Sequence, residues 1–516
     1  MSLTLSDQDK STLRTAAYGA VSLMAAAGAA GRPHRVATDG ALALASATGL
    51  VGHVLAVKAK DVDLKGTSTA ELADQVLPAL TAAMSLLKER DPAEAGNFRG
   101  TVLVAVDAAA RTRQGEPSPT MAEMARKITA ALDAAEAATA DGGAVPEAAA
   151  GQDRPELRKA IEEIVGSGFT GITLRVHDER GEWAASAGVA ELGGTAKPPI
   201  DGHARIGSNT KTFTAALVLR LVAEGRIELD APVADHLPEF GLDEQITVRM
   251  LLQHTSGLFN FTGEVQDDGT LAPGIPMPYG PLGKEWLDDR FHAYRPEALV
   301  RLALSRPARF EPGTDWSYSN TNYVLVRLLI EKVTGRSFAE EMRRLILEPL
   351  GLSGTVVPDA SPEIPAPHAH AYYRHEEDGR TRTVDITRHN PSWVSTGGDM
   401  ISTTRDLHTF ISALMGGELL PAPLLAEMCT PETKVGYGLG VFVQKTAGGG
   451  TVITHNGGMA GYATLMYSTP DGSRTLTAAL NCVDDADLSI ATAFQSAQQR
   501  LVDEVFGGGQ AGPAQP

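Results

Sequence analysis

The apolar pattern changes twice along the chain. Over the first 138 residues alanine and leucine recur at helical spacing, and helices are expected at about 7–30, 37–58, 68–90, 93–112 and 118–138. Only two aromatic residues, Tyr18 and Phe98, fall there, so the pattern reads as a small-residue helical bundle. Pro78 lies inside the third helix, which predicts a kink or a later start. Residues 139–154 lose the periodicity and are rich in Ala, Gly, Pro and acid, the composition of a linker.

From Pro155 the pattern becomes mixed. A helix opens there with Leu157, Ala160, Ile161, Ile164 and Val165 on one face. Alternating runs at 170–177 and 183–190 read as a hairpin. Helices are expected at about 209–225, 247–253, 297–305, 320–335, 338–347, 404–415 and 422–429. A Gly/Pro/Asp-rich loop covers about 258–295, a length that usually carries function. Strands return at 437–446, 450–456, 461–468 and 473–481, before a last helix at 486–506 and a tail at 508–516. Residues 155–507 therefore read as an α+β domain: an antiparallel sheet flanked by its first and last helices, with a helical insert. The N-terminal bundle, 1–138, is a separate α-helical domain, expected to serve regulation or oligomerisation.

Composition narrows the class. The chain has 516 residues, 43 % of them hydrophobic and 21 % charged, with a net charge of -18. Such a balance excludes general nucleic-acid binding. Residues 15–31 look like a secretory apolar region, yet Asp7 and Asp9 cancel Lys10 and Arg14 ahead of it. No apolar run reaches the roughly 18 residues of a membrane span, so a cytoplasmic protein is expected. The two cysteines, Cys429 and Cys482, lack metal-ligand spacing and read as small buried hydrophobes. His368, His370 and His375 have strand-like spacing but no evident fourth ligand, and read as solvated surface. No metal or cofactor is expected.

Candidate chemistry starts at Ser208-x-x-Lys211. It follows a glycine turn and opens a helix, on which residues three apart share a face. A second such string, Ser85-x-x-Lys88, lies in mid-helix of the bundle. Two further motifs separate them. Tyr318-x-Asn320 is the only Tyr-x-Asn in the chain, and His455-x-Gly457 is the only His-x-Gly among thirteen histidines.

Ser-x-x-Lys, Tyr-x-Asn and His-x-Gly in that order resemble the serine penicillin-recognising enzymes. These are D-alanyl-D-alanine carboxypeptidases, class C β-lactamases and related esterases. Framework segments from Leu221 to Val233, Ile246 to Leu258, Ser402 to Leu407 and Gly436 to Gly440 are similar too, over about 157–507. The resemblance implies a β-lactamase/transpeptidase-like fold and an acyl-enzyme on Ser208. Lys211 or Tyr318 accepts the serine proton, Asn320 holds the lysine, and His455 tunes the tyrosine or the leaving group. The backbone N–H groups of Ser208 and Gly458 form the oxyanion hole. Asn456, Gly457, Trp393 and Phe442 are expected to bind substrate.

The same resemblance implies a small-molecule or peptide substrate, with a β-lactam as a candidate covalent ligand. D-alanyl-D-alanine carboxypeptidase-like hydrolysis is the first reading. Esterase, D-aminopeptidase or weak β-lactamase activity is the second, and a catalytically silent penicillin-binding-type module is a third of another class. Two positions depart from the carboxypeptidase pattern. Phe442 stands where those enzymes carry a carboxylate-binding arginine, and Gly458 stands where a threonine or serine is common.

Overall fold

The computed structural model describes residues 7–27, 44, 54–55, 69–90, 92–110, 119–137, 153–265, 270–431, 435–446 and 448–507. The chain forms two compact units, Met1–Ala149 and Ala150–Pro516. Most of the expected linker and the expected tail at 508–516 lie outside the described residues.

In the first unit, helices α1 (Asp7–Ala27), α2 (Thr69–Arg90), α3 (Pro92–Ala110) and α4 (Pro119–Ala137) enclose one apolar core. Both α3 and α4 begin on proline, whose missing N–H costs nothing in a first turn. Small residues let the helices approach closely: a Cβ added at Gly19 would stand 2.7 Å from Val76 Cγ2. Pro78 sits inside α2, which starts where the pattern predicts. The expected helix at 37–58 lies outside the described residues except for Leu44, Val54 and Leu55, which are buried in this core. Arg14 Nε donates to Val54 O at 2.9 Å and Tyr18 Oη to Leu55 O at 2.8 Å, tying these two residues to α1. Ser85 and Lys88 belong to α2.

The second unit is built on one sheet. Strands β1 (Phe169–Asp178), β2 (Gly181–Gly188), β9 (Phe442–Lys445), β10 (Thr451–Met459), β11 (Tyr462–Ser468) and β12 (Thr475–Asp485) run in the order β2-β1-β12-β11-β10-β9, all antiparallel. Period-2 alternation assigns their faces. Leu476, Ala478 and Leu480 of β12 share a core with the flanking helices α5 (Pro155–Gly166) and α14 (Ala491–Phe506). The next residues over turn the other way. Thr475 Oγ1 meets His408 Nδ1 at 2.7 Å, and Thr477 Oγ1 donates to Thr404 O at 2.8 Å, both on helix α12 (Thr404–Met415).

The helical part packs around α6 (Asn209–Ala223), which is polar in its first turns, apolar beyond them and buried along nearly its whole length. Against it lie α10 (Asn320–Thr334), α11 (Phe338–Met342) and α12. Phe213 of α6 stacks on Phe410 of α12 with ring centroids 3.6 Å apart. The shorter helices α7 (Val248–Gln253), α8 (Gly283–Asp288), α9 (Pro296–Leu304) and α13 (Ala422–Met428) complete this region.

Several boundaries differ from the pattern. The run at 437–446 is a strand only over Phe442–Lys445, because positive-φ glycines at 436 and 440 turn the chain ahead of it. The last helix starts at Ala491 rather than 486, since β12 continues to Asp485. The expected helix at 338–347 is α only to Met342 and continues as a π turn, Arg343–Leu347. A hairpin of β6 (Tyr372–Glu377) and β7 (Arg380–Asp385) is absent from the pattern: its outer residues are charged and exposed, so no apolar alternation marks it. Strand β6 joins the sheet by parallel pairing with the end of β12. The loop at 258–295 holds a small ladder, β4 (Glu264–Val265) with β5 (Leu271–Ala272), besides α8. Among the described residues no helix is long and apolar enough to cross a membrane.

Since Phe213 is fully buried against Phe410, Phe213→Ala is expected to cost about 3–5 kcal/mol. Urea unfolding of the variant beside the parent checks it. A loss under about 1 kcal/mol would show that α6 and α12 close the gap.

Candidate active site

Strand β3 (Ala204–Arg205) pairs with β8 (Ile401–Ser402) and delivers the chain to the start of α6. Arg205 is buried and fixes this entry, its Nη2 donating to Pro362 O at 2.9 Å and His389 O at 3.0 Å. Gly207 then takes φ +50°. It has to be glycine, because a Cβ there would stand 2.6 Å from Gly458 N and O on β10. Gly457 is equally confined, since a Cβ on it would overlap Ile206 O. The nucleophile turn and strand β10 thus touch backbone to backbone.

Ser208 opens α6 in helical conformation, and its hydroxyl makes no capping bond. It receives two other groups instead. Tyr318 Oη donates to Ser208 Oγ at 2.8 Å, and Lys211 Nζ lies 3.3 Å from the same oxygen. The lysine is completely buried. Its Nζ also lies 2.7 Å from Asn320 Oδ1 and 2.5 Å from Gly397 O. Asn320 begins α10 and is held in turn, its N–H donating to Asn260 Oδ1 at 3.1 Å and its Nδ2 to Thr262 Oγ1 at 3.3 Å.

Electrostatics follow from this burial. Loss of water drives the Lys211 amine well below its ordinary pKa of 10.5. A neutral amine has two N–H donors and one lone pair. Asn320 Oδ1 and Gly397 O can only accept, so they take the two hydrogens. The lone pair is left for the Ser208 hydroxyl. Burial raises the Tyr318 phenol, an effect that the bond to Ser208 only partly offsets, so the phenol stays protonated. His455 is pushed down to about 3, by burial first and by Lys211 second, against the pull of the Asn456 carbonyl. Its Nδ1 lies 2.9 Å from Asn456 O and its Nε2 3.1 Å from Tyr437 Oη. The neutral ring therefore donates through Nδ1 and accepts from Tyr437 through Nε2.

A cavity of about 280 Å³ leads to Ser208. Tyr318, Asn320, Trp393 and Gly458 line it with the serine. His455, Asn456, Gly457 and Phe442 do not line it. Asn456 turns away, its Nδ2 donating to Tyr467 Oη at 2.8 Å. Phe442 packs edge-on to Tyr437 at 4.5 Å and to His455 at 5.5 Å. His455 stands behind the phenol, with ring centroids 6.5 Å from Tyr318.

Three features of the site carry no sequence motif. His254, with φ 65°, is buried and packs its ring 4.4 Å from that of Tyr318. Its Nδ1 receives the Ser319 N–H at 3.2 Å, fixing the backbone beside the phenol. The Gly397 carbonyl is a backbone atom and leaves no mark in the sequence. Part of the cavity wall comes from the long loop, at Met277, Pro278 and Tyr279. The cysteines are free, and Cys482 lines the cavity. His370 Nδ1 meets Asp385 Oδ2 at 2.7 Å. Among the described residues, histidines 368, 370 and 375 form no metal-type group. The one such group is His177, Glu182 and His408, and Arg175 already occupies Glu182.

A family model described as Beta-lactamase matches residues 157–499. The chain belongs to this family. In the beta-lactamase family it is similar to a penicillin-binding protein of Bacillus subtilis (strain 168), 28 % identical over 321 residues, or 58 % of this chain and 66 % of that one. Esterase EstB of Burkholderia gladioli is 37 % identical over 169 residues, covering 31 % of this chain and 39 % of the esterase. The chain thus spans just under two thirds, or less, of the length of these curated relatives. Among solved structures, a D-stereospecific amidohydrolase from Streptomyces sp. is 36 % identical with a TM-score of 0.59, covering 69 % of this chain and all of that one. A D-amino acid amidase from Ochrobactrum anthropi SV3, 24 % identical with a TM-score of 0.57 over 68 % of this chain and 97 % of its own, shares the fold. The beta-lactamase fold of an antiparallel sheet with helices is that expected from the sequence.

Two residues beyond Gly397 lies Asp399, fully buried, with neither carboxylate oxygen hydrogen-bonded. Burial raises its pKa to about 7, against the pull of Arg327 and Arg205. A folded pKa above the unfolded 3.8 means that folding takes up a proton between roughly pH 4 and pH 7. Its contribution to stability is full below that window and is lost as pH rises through about 7. Asp399→Asn is therefore expected to raise the melting temperature at pH 8 and change it little at pH 4.5. Equal effects at both values would contradict the assignment.

Proposed function

We propose that the chain is a serine hydrolase acting through an acyl-enzyme on Ser208, cleaving amide bonds of D-amino-acid peptides or amides. The observation that carries it is the hydrogen-bond chain from Tyr318 to Ser208 to the completely buried Lys211. The Ser208 proton passes to Lys211 Nζ as Oγ attacks the acyl carbon. The oxyanion is held by the N–H groups of Ser208 and Gly458. Tyr318, a neutral phenol, gives its proton to the leaving amine, and the ammonium formed on Lys211 returns one to the phenolate. Water then attacks the ester with the same groups in reverse. Asn320 and the Gly397 carbonyl keep the lysine in place. His455, neutral at working pH, accepts from Tyr437 and supports the tyrosine cluster. Of the expected substrate-binding residues, Trp393 fits that role, because it lines the cavity. Asn456, Gly457 and Phe442 act from behind the wall.

The amide preference is supported by the 36 % identity to the D-stereospecific amidohydrolase. Ester cleavage is the alternative supported by Esterase EstB. Intact-protein mass spectrometry after a fluorophosphonate or a penicillin tests the nucleophile. One adduct is expected, on Ser208, and none in Ser208→Ala. An unmodified parent protein would leave a silent binding module. Short-chain esters against D-amino-acid amides then rank the two chemistries. The N-terminal helices we read as a regulatory or oligomerisation unit. A chain lacking residues 1–138 with unchanged light scattering and unchanged kinetics would remove that reading.

The pH profile carries a further prediction. Lys211 works as the free amine, so kcat/KM for a neutral ester should rise with pH on an acid limb and then level off. Lys211→Met should lower the plateau by about 10²–10⁴-fold. His455→Gln should leave the midpoint of the limb in place, because a ring with a pKa of about 3 is already neutral there. A limb that moves with His455 would reassign the base.

A further inference from the structure

The cavity that reaches Ser208 has one charged side chain in its wall, Asp484. No lysine, arginine or histidine lines it among the described residues. Much of the remaining wall is apolar, with Phe169, Met277, Trp393, Met459, Ile490 and Phe494. Asp484 lies at the end of β12, where β6 pairs with that strand in parallel. Its carboxylate is half-buried and accepts two backbone N–H groups, Asp485 N at 2.9 Å and Gly461 N at 3.4 Å.

The nearby cation is taken elsewhere. Arg374 Nη2 goes to Asp485 Oδ2 at 2.6 Å, and no ion pair joins Asp484 to a cation among the described residues. The ionisable groups around Asp484 are acidic or neutral: Asp485, Tyr279, Tyr373 and Cys482. Burial raises its pKa, and Asp485 adds to the rise. A half-buried carboxylate without a counter-ion gives the cavity a negative potential. An arriving cation gains a charge-assisted hydrogen bond there, whereas an arriving carboxylate meets like charge with nothing to hold it.

We propose that Asp484 forms an ammonium-binding subsite in this cavity, so that the substrate is an acyl compound carrying a free, protonated amine beside an apolar group. This deepens the proposed function and rests on the reading of Ser208 as the acylated nucleophile. In amino-acid terms the acyl part is unblocked at nitrogen, with its hydrocarbon side chain against the aromatic wall. An N-acylated analogue loses the charge that Asp484 reads. A substrate whose recognition depends on a terminal carboxylate finds no partner in the wall. The contact is non-covalent, and the acyl transfer at Ser208 is unchanged by it.

Two measurements test the subsite and keep it distinct from the nucleophile. Calorimetry on the full chain compares phenethylammonium with 2-phenylethanol, which match in shape and differ in charge. The ammonium is expected to bind about tenfold to a hundredfold more tightly, and Asp484→Asn to remove the difference. The parent protein alone separates the two outcomes, so a variant that fails to fold does not block the test. Equal or undetectable binding of the two probes would overturn the subsite, as would a preference that survives in a folded Asp484→Asn. Turnover of D-phenylalanine amide against 3-phenylpropanamide is the second measurement. The variant should raise KM for the first at least tenfold more than for the second, and an equal change in both would overturn the subsite. An ammonium preference without a Ser208 adduct would sink the nucleophile and spare the subsite. A Ser208 adduct without that preference would do the reverse.

Discussion

An amine sealed from water is the constraint on which the site depends. Lys211 sits on a helix buried on every side, so its charge has no solvent to stabilise it. The surroundings offer two acceptors and one hydroxyl, the set that a neutral amine can satisfy. The same dryness keeps the Tyr318 phenol protonated and the His455 ring neutral. One physical cause, desolvation, therefore frees the lysine to accept a proton and holds the tyrosine's proton on its oxygen. Two groups of opposite ordinary behaviour are brought to bear on one hydroxyl.

The aromatic packing behind the site maintains that dryness. His254, Tyr323, Tyr437 and Phe442 fill the space behind Tyr318, Lys211 and His455. Lys211 Nζ stands 4.6 Å from the Tyr318 ring centroid and 5.4 Å from that of Tyr323. Such rings exclude water, while their hydroxyls bond inward: Tyr437 to His455, and Tyr323 to Leu252 O at 3.0 Å.

Much of this architecture is legible in the chain. The order of three short motifs picks out Ser208, Tyr318 and His455, and the structure gathers those side chains around one buried lysine. Helical periodicity locates α5, α6, α10 and α12 to within a few residues, because each buries an apolar face. Other features leave no trace. The Gly397 carbonyl is common to every residue type, so no string of letters marks it. His254 is one of thirteen histidines and is distinguished only by where α7 ends. The hairpin of β6 and β7 is polar on its exposed residues, and its place is set by pairing with β12. The cavity wall draws on β1, the long loop, β12 and α14, far apart in sequence, and so is a property of the folded unit alone.

The contact between Gly207 and Gly458 carries a consequence for how such a site changes over time. Two stretches of main chain meet there with no side chain between them. The spacing between the nucleophile turn and the strand edge is therefore set by backbone geometry, and mutations in the surrounding wall leave it alone. The wall can drift, from Phe169 through Met277 to Phe494, while the reacting groups keep their distances. Which acyl groups fit can therefore be altered at the wall without moving the nucleophile turn.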